Sequence, residues 1–270
     1  KTPNDLTATA YYAHSVELVR RAAVILGKEK DAEKYSGLSE RIKKSFRKKF
    51  YDENGCLKAG TQTAHVLALA FDLAGDEFRQ RTIDDLEALI DEWNGLSTGF
   101  LGTPHICHVL KENGRVDAAY RLLMKKEYPS WLYPVIKGAT TIWEHWDSIR
   151  TDGSFWSDSM NSFNHYAYGC IGDWLYSTIL GIDTSEEEPG YHESIVSPVP
   201  GGGITWAEGG CYTPYGLLEV KWSLDDGAFF LHVNVPANTK CRVCLPGTGE
   251  TYAVGSGKHE FQCRMEREEM

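Results

Sequence analysis

The residues best equipped for chemistry lie in one run, Gly138-Ala-Thr-Thr-Ile-Trp-Glu-His-Trp-Asp-Ser148. It sets the carboxylate of Glu144 between Trp143 and His145, with Trp146 and Asp147 following. Small residues lead in, and turn-formers (Ser148, Thr151, Asp152, Gly153, Ser154) follow, as in a carboxylate presented at the mouth of a cavity. Aromatic neighbours stack on apolar faces and exclude water, and a carboxylate held among them can serve as a general base. The same run also reads as a partly buried Glu tied to backbone beside two core tryptophans, and the motif by itself leaves both readings open. His165, in Asn161-Ser-Phe-Asn-His165, reads alone as a helix-surface histidine.

Other chemically suggestive groups resolve to ordinary structure. Cys241-Arg-Val-Cys244 has the spacing of a redox or metal pair, but it lies in an alternating run. On a strand its two thiols point to opposite faces and do not chelate easily. His105-Ile-Cys-His108 lacks the further ligands of a metal set. Gly201-Gly-Gly203 has no following helix to cradle phosphate. No cofactor and no metal are therefore expected.

Composition narrows the partners. A formal net charge of −10 argues against a nucleic acid, and 12% aromatic residues are compatible with sugar binding. No apolar run approaches a membrane span, and the first residues lack a signal peptide's layout. The seven cysteines sit mostly in apolar contexts and read as reduced, which favours a cytoplasmic setting.

The elements that must position these groups change character along the chain. Helices are expected over Thr7 to Leu26, Lys28 to Phe50, Thr61 to Ala74, Glu77 to Trp93, His105 to Glu112, Val116 to Lys126 and Ser159 to Leu180. The Thr61 helix is apolar nearly all round and should be buried. Long and short connections alternate, as antiparallel helix pairs in a toroid require. Three long ones, Lys58 to Gln62, Gly95 to Pro104 and Glu127 to Asp158, should share one rim and bring Glu144, Trp131 and the polar residues Asn161, Asn164 and His165 together. Ile182 to Gly190 reads as an acidic, solvated linker. Beyond it the period drops to two, with short strands at Ile195 to Pro198, Gly203 to Trp206, Leu217 to Ser223, Ala228 to Val235, Lys240 to Leu245 and Lys258 to Cys263, an antiparallel sandwich. Arg264 to Met270 reads as a charged tail.

Five motifs then carry a resemblance: Thr61-Gln-Thr-Ala-His-Val-Leu-Ala-Leu, Leu96-Ser-Thr-Gly-Phe-Leu-Gly-Thr-Pro, Glu127-Tyr-Pro-Ser-Trp131, Gly138 to Asp147, and Asn161 to Gly169. In this order they resemble the bacterial α-L-rhamnosidases of glycoside hydrolase family 78, and Pro200 to Gly203, Leu217 to Trp222 and Val235 to Thr239 extend the likeness. The resemblance implies a multidomain chain, α then β. Residues 1–183 would be part of an (α/α)6 barrel and residues 184–270 a small C-terminal β-sandwich. It implies inverting hydrolysis of terminal α-L-rhamnosides, with Glu144 as general base. His165 would contact the sugar, and Trp131, Trp143 and Trp146 would line its pocket.

The family's general acid belongs to an Asp- and Arg-rich segment with a Gly-Trp step, and none of the 270 residues supplies it. The expectation is thus a part of a longer rhamnosidase, its partners a rhamnose-containing glycoside and the remainder of the same enzyme. An incomplete ring would leave the first helix's apolar face (Leu18, Val19, Ala22, Ile25, Leu26) open, and the isolated chain inactive and prone to self-association. The alternatives are a catalytically inactive carbohydrate-binding fragment and a helical-toroid scaffold.

Overall fold

The computed structural model describes residues 1–265. The chain forms two compact units, Lys1–Gly169 and Cys170–Met270.

The first unit is helical: α1 Asn4–Ile25, α2 Glu29–Phe50, α3 Gln62–Ala70, α4 Gly75–Glu92, α5 Thr103–Glu112, α6 Val116–Met124 and the short α7 Leu132–Ile136. Consecutive helices pack as hairpins, α1 on α2, α3 on α4 and α5 on α6. Among these, α3 is buried along most of its length, as its all-round apolar sequence requires. Thr61 caps α3, its hydroxyl accepting from the Ala64 N–H at 3.3 Å. Leu18, Val19, Ala22 and Ile25 of α1, and Leu26 just after it, are exposed, Ile25 to 82%. No helix among the described residues is long and apolar enough to cross a membrane.

The three long connections do meet. The Gln62 amide is fully buried, donates to the Gly95 carbonyl at 2.8 Å and accepts from the Ser97 N–H at 2.8 Å. Gly95 has φ +137°, and a Cβ there would stand 2.9 Å from the Pro129 carbonyl oxygen, so the next connection crosses where only glycine fits. Replacing Gln62 with Ala strands a buried donor and acceptor. We expect a stability loss of about 1–3 kcal/mol by urea unfolding, with Gln62→Glu failing to restore it, since a carboxylate cannot donate to Gly95.

Elsewhere in this unit, the Tyr51 hydroxyl bonds Thr82 Oγ1 at 2.9 Å, and burial pushes its pKa up to about 12. A raised phenol pKa gives stability that is fully present below pH 10 and lost as pH climbs through about 12. Tyr51→Phe should therefore flatten the fall in melting temperature over that window, by about 3 kcal/mol of stability. It should cost little at pH 7, because Thr82 also donates to the Phe78 carbonyl.

The helix expected over Ser159 to Leu180 begins only at Ala167. Residues 159–166 are irregular; a 3-10 turn at Ala167–Cys170 precedes α8 Ile171–Trp174 and a π-helical stretch Leu175–Leu180. The cause is local competition for backbone groups. Ser157 Oγ accepts from the N–H groups of Ser159 and Met160, and Ser162 Oγ accepts from that of Asn164.

Among the described residues of the second unit, eight strands form two four-stranded sheets ordered β1-β2-β6-β7 and β3-β4-β5-β8. They are β1 Ile182–Thr184, β2 Glu193–Val196, β3 Trp206–Thr213, β4 Gly216–Asp225, β5 Ala228–Val235, β6 Lys240–Cys244, β7 Thr251–Val254 and β8 Gly257–Arg264. Five of the six strand pairings are antiparallel, whereas β2 and β6 run parallel, which departs from a purely antiparallel reading. The acidic linker is also corrected in part, because Ile182–Thr184 pairs with β2. The strand expected at Gly203 to Trp206 instead starts at Trp206 and runs to Thr213.

Gly181, at φ +86°, ends the π-helical stretch where a Cβ would lie 2.3 Å from Pro198 N. Trp222 is fully buried and its Nε1–H donates to the Ile179 carbonyl at 2.7 Å. Cys241 is buried on β6 while Cys244 is half-buried, and all seven cysteines are free thiols. Residues 266–270, most of the expected charged tail, lie outside the described part of the chain.

Candidate functional site

Two irregular segments of the first unit run side by side and build the site. The Glu144 N–H donates to the Ser162 carbonyl at 2.9 Å, and the His165 N–H donates to the Ile142 carbonyl at 2.8 Å. The Thr141 hydroxyl adds a bond to the Phe163 carbonyl. This strap brings Glu144 and His165, 21 residues apart, onto adjoining backbone.

The strap also fixes the carboxylate. Glu144 Oε2 accepts from the Ser162 N–H at 2.8 Å, and its side chain is 15% exposed. Oε1 stands 3.9 Å from His145 Nε2, beyond hydrogen-bond reach. One oxygen is thus pinned to a backbone amide while the other keeps its lone pairs for an external proton. His145 stacks on Trp156 at 3.7 Å, and its Nε2 is buried without a partner among the described residues.

His165 Nδ1 accepts from the Ala167 N–H at 3.3 Å, so the ring's proton sits on Nε2 as a donor. Phe100 stacks on this ring at 4.8 Å.

The tryptophans are more deeply built in than a pocket lining requires. Trp131 (8% exposed) donates its Nε1–H to the Tyr168 carbonyl at 3.0 Å and meets Trp146 edge-on at 5.4 Å. Trp146 (8% exposed) donates to the Thr98 carbonyl at 3.0 Å and stacks on Tyr168 at 3.8 Å. Trp143 is buried and meets Phe163 edge-on. Of the three, Trp146 borders a cavity of about 550 Å³, whose wall also includes Thr61, Leu96, Thr98 and Tyr128. All three long connections therefore face one hollow, but its wall includes neither Glu144 nor His165, so the expected convergence on a single cavity is met only in part. At its edge, burial and the nearby Asp147 carboxylate raise the Tyr128 phenol pKa, so it stays protonated at neutral pH.

Sequence reasoning missed Phe100, Tyr168, Trp156 and the Ser162 amide. Phe100 had a usable signal, because it follows Gly99 in the glycine-broken Gly95 to Pro104 segment. Ser162 had none, since its role is played by a backbone N–H. Among the described residues no group of three or more His, Cys, Asp or Glu is placed to hold a metal ion.

Comparison with known proteins gives the family of both units. Residues 1–179 match the family model of the bacterial alpha-L-rhamnosidase six-hairpin glycosidase domain, and residues 181–260 match that of the bacterial alpha-L-rhamnosidase C-terminal domain. An alpha-L-rhamnosidase of Streptomyces avermitilis is 43% identical over 97% of this chain, and one of Formosa agariphila 40% over 91%. The crystal structure of the Streptomyces avermitilis enzyme complexed with L-rhamnose superposes with a TM-score of 0.93 over 98% of this chain, at 42% identity. That of native α-L-rhamnosidase from Aspergillus terreus gives 0.93 over 97%, at 39% identity. The chain spans about a quarter of the length of these curated relatives, 27% and 26%, and 27% and 31% of the two crystallised chains.

Proposed function

The chain belongs to the bacterial α-L-rhamnosidases, and on that footing we propose that it carries the base half of an inverting glycosidase site for terminal α-L-rhamnose. The observation that carries this reading is the carboxylate of Glu144, held by Ser162 on the strap that also presents His165. Glu144 Oε1 takes a proton from water as that water attacks the anomeric carbon from the face opposite the leaving oxygen. His165 donates from Nε2 to a sugar hydroxyl. Trp146, with Trp131 edge-on against it, and Trp143 supply apolar wall to the subsite. Inversion needs a second carboxyl group, roughly 6.5–9.5 Å from the first, to protonate the leaving oxygen. The family resemblance places that acid in a segment absent from these 270 residues, so turnover belongs to the longer protein of the relatives' length.

The direct test is to follow hydrolysis of an aryl α-L-rhamnoside by that longer protein with proton NMR. The first sugar to appear should be the β-anomer. Release of the α-anomer first would overturn the general-base role, because it requires a covalent nucleophile instead. His165→Ala removes one hydrogen-bond donor to the sugar and should lower kcat/KM by about tenfold, chiefly through KM. His165→Gln should recover part of it, and unchanged kinetics would remove His165 from the subsite.

A further inference from the structure

We propose that the outer face of the sheet β3-β4-β5-β8 is an accessory glycan-binding platform for an extended, neutral oligosaccharide. It is independent of the Glu144 reading. Alternation along the strands decides which residues lie there. The inner residues pack inward, Trp222 bonded to Ile179 and Gly209 placed where a Cβ would lie 2.8 Å from Leu180. The residues between them point the other way, into solvent.

Strand register assembles these outer residues into cross-sheet rows. One row is Glu208, Lys221, His232 and Glu260; the next is Gly210, Glu219, Asn234 and Lys258. Gly210 adds no side chain, and the two rows border a groove of about 650 Å³. On β3, Trp206 stands beyond one side and Tyr212 beyond the other, 65% and 86% exposed. They share this face because both lie an even number of residues from Glu208, and six residues of strand separate them by about 20 Å. Phe230 joins Trp206 in its row through Ser223. Leaving two large aromatic rings in water at either end of a polar trough forgoes the stabilisation of burying them.

The chemistry of the trough selects its occupant. Lys221 Nζ pairs with Glu208 Oε2 at 2.8 Å, Asn234 Nδ2 donates to Glu219 Oε2 at 2.8 Å, and His232 Nδ1 lies 3.3 Å from Glu260 Oε1. Donors and acceptors therefore alternate, and the two ammonium groups are outnumbered by three carboxylates. A polyanion would meet net repulsion, in a chain that already carries −10. A protein partner would want an apolar centre with a polar rim, whereas here the centre is polar and the ends are aromatic. A neutral sugar chain fits both parts, since its hydroxyls donate and accept and its C–H faces lie flat on aromatic rings.

The test is affinity electrophoresis of the longer protein of the relatives' length through native gels containing galactomannan, arabinoxylan, xyloglucan or a rhamnan, with polygalacturonate and heparin as polyanions. At least one neutral polymer should retard the protein, and free L-rhamnose should not release it. Trp206→Ala with Tyr212→Ala should weaken retardation by about tenfold at unchanged melting temperature, since both rings are exposed. Lys221→Ala, which leaves the aromatic pair intact, should weaken it several-fold and serves as the second variant. The proposal is overturned by retardation with polyanions only, by none with any neutral polymer, by retardation that survives both variants, or by release with free L-rhamnose. Only the last outcome would point back to the Glu144 site.

Discussion

Glu144→Gln, made in the longer protein, should lower kcat on an aryl α-L-rhamnoside by about 10²–10⁴-fold while leaving KM and the melting temperature close to the parent's. The substitution keeps the shape of the side chain. Its amide oxygen can still accept from the Ser162 N–H, the bond that holds the group at 2.8 Å, so the strap should survive. What is lost is the ability of the other oxygen to take a proton from water. Added azide should not restore turnover with retained configuration, because an inverting site forms no glycosyl-enzyme intermediate for azide to replace. Near-parental turnover would remove Glu144 from the role of base. A parallel collapse of melting temperature would assign the residue to structure instead.

Trp146→Ala should be the most destabilising single change around the site, by about 3–5 kcal/mol, lowering the melting temperature of the helical unit by roughly 10 °C. Trp146 joins three parts of the unit at once. Its ring stacks on Tyr168, its edge meets Trp131, and its N–H reaches Thr98 in the Gly95 to Pro104 connection. Removing the indole empties a buried volume and strips the Thr98 carbonyl of its partner. Trp146→Phe keeps the stack and loses the hydrogen bond, so it should show only about 1–2 kcal/mol of the effect. If the Ala variant melts with the parent and only substrate binding suffers, Trp146 is pocket wall and carries none of the frame. The two variants thus separate a ring that touches sugar from one that holds the loops bearing Glu144 and His165.

Much of the helical frame is legible in local sequence. Each of the first six helices starts and stops within four residues of the positions set by its apolar period and flanking turn residues. The strand over Ala228 to Val235 agrees to the residue. Glu144 stands out because its neighbours in the chain are also its chemistry, aromatic rings beside a single carboxylate. These are short-range signals, written within one or two turns of helix or one strand.

The remainder depends on pairings that no window of sequence contains. Ser159 to Tyr166 has no single period, and beyond the local bonds of Ser157 and Ser162 its irregular backbone is tied to residues some twenty positions earlier. Ile182 to Thr184 looks like the start of a solvated linker until β2 arrives to pair with it, and β2 itself lies parallel to a strand 47 residues later. Phe100 becomes a neighbour of His165 only when two loops of one rim meet. Sequence by itself therefore determined the helices, most of the strands and the chemical character of Glu144, because periodicity and turn residues act locally. Tertiary structure decided how that carboxylate is held and what faces it, because a backbone N–H carries no residue-specific mark of the partner it will find.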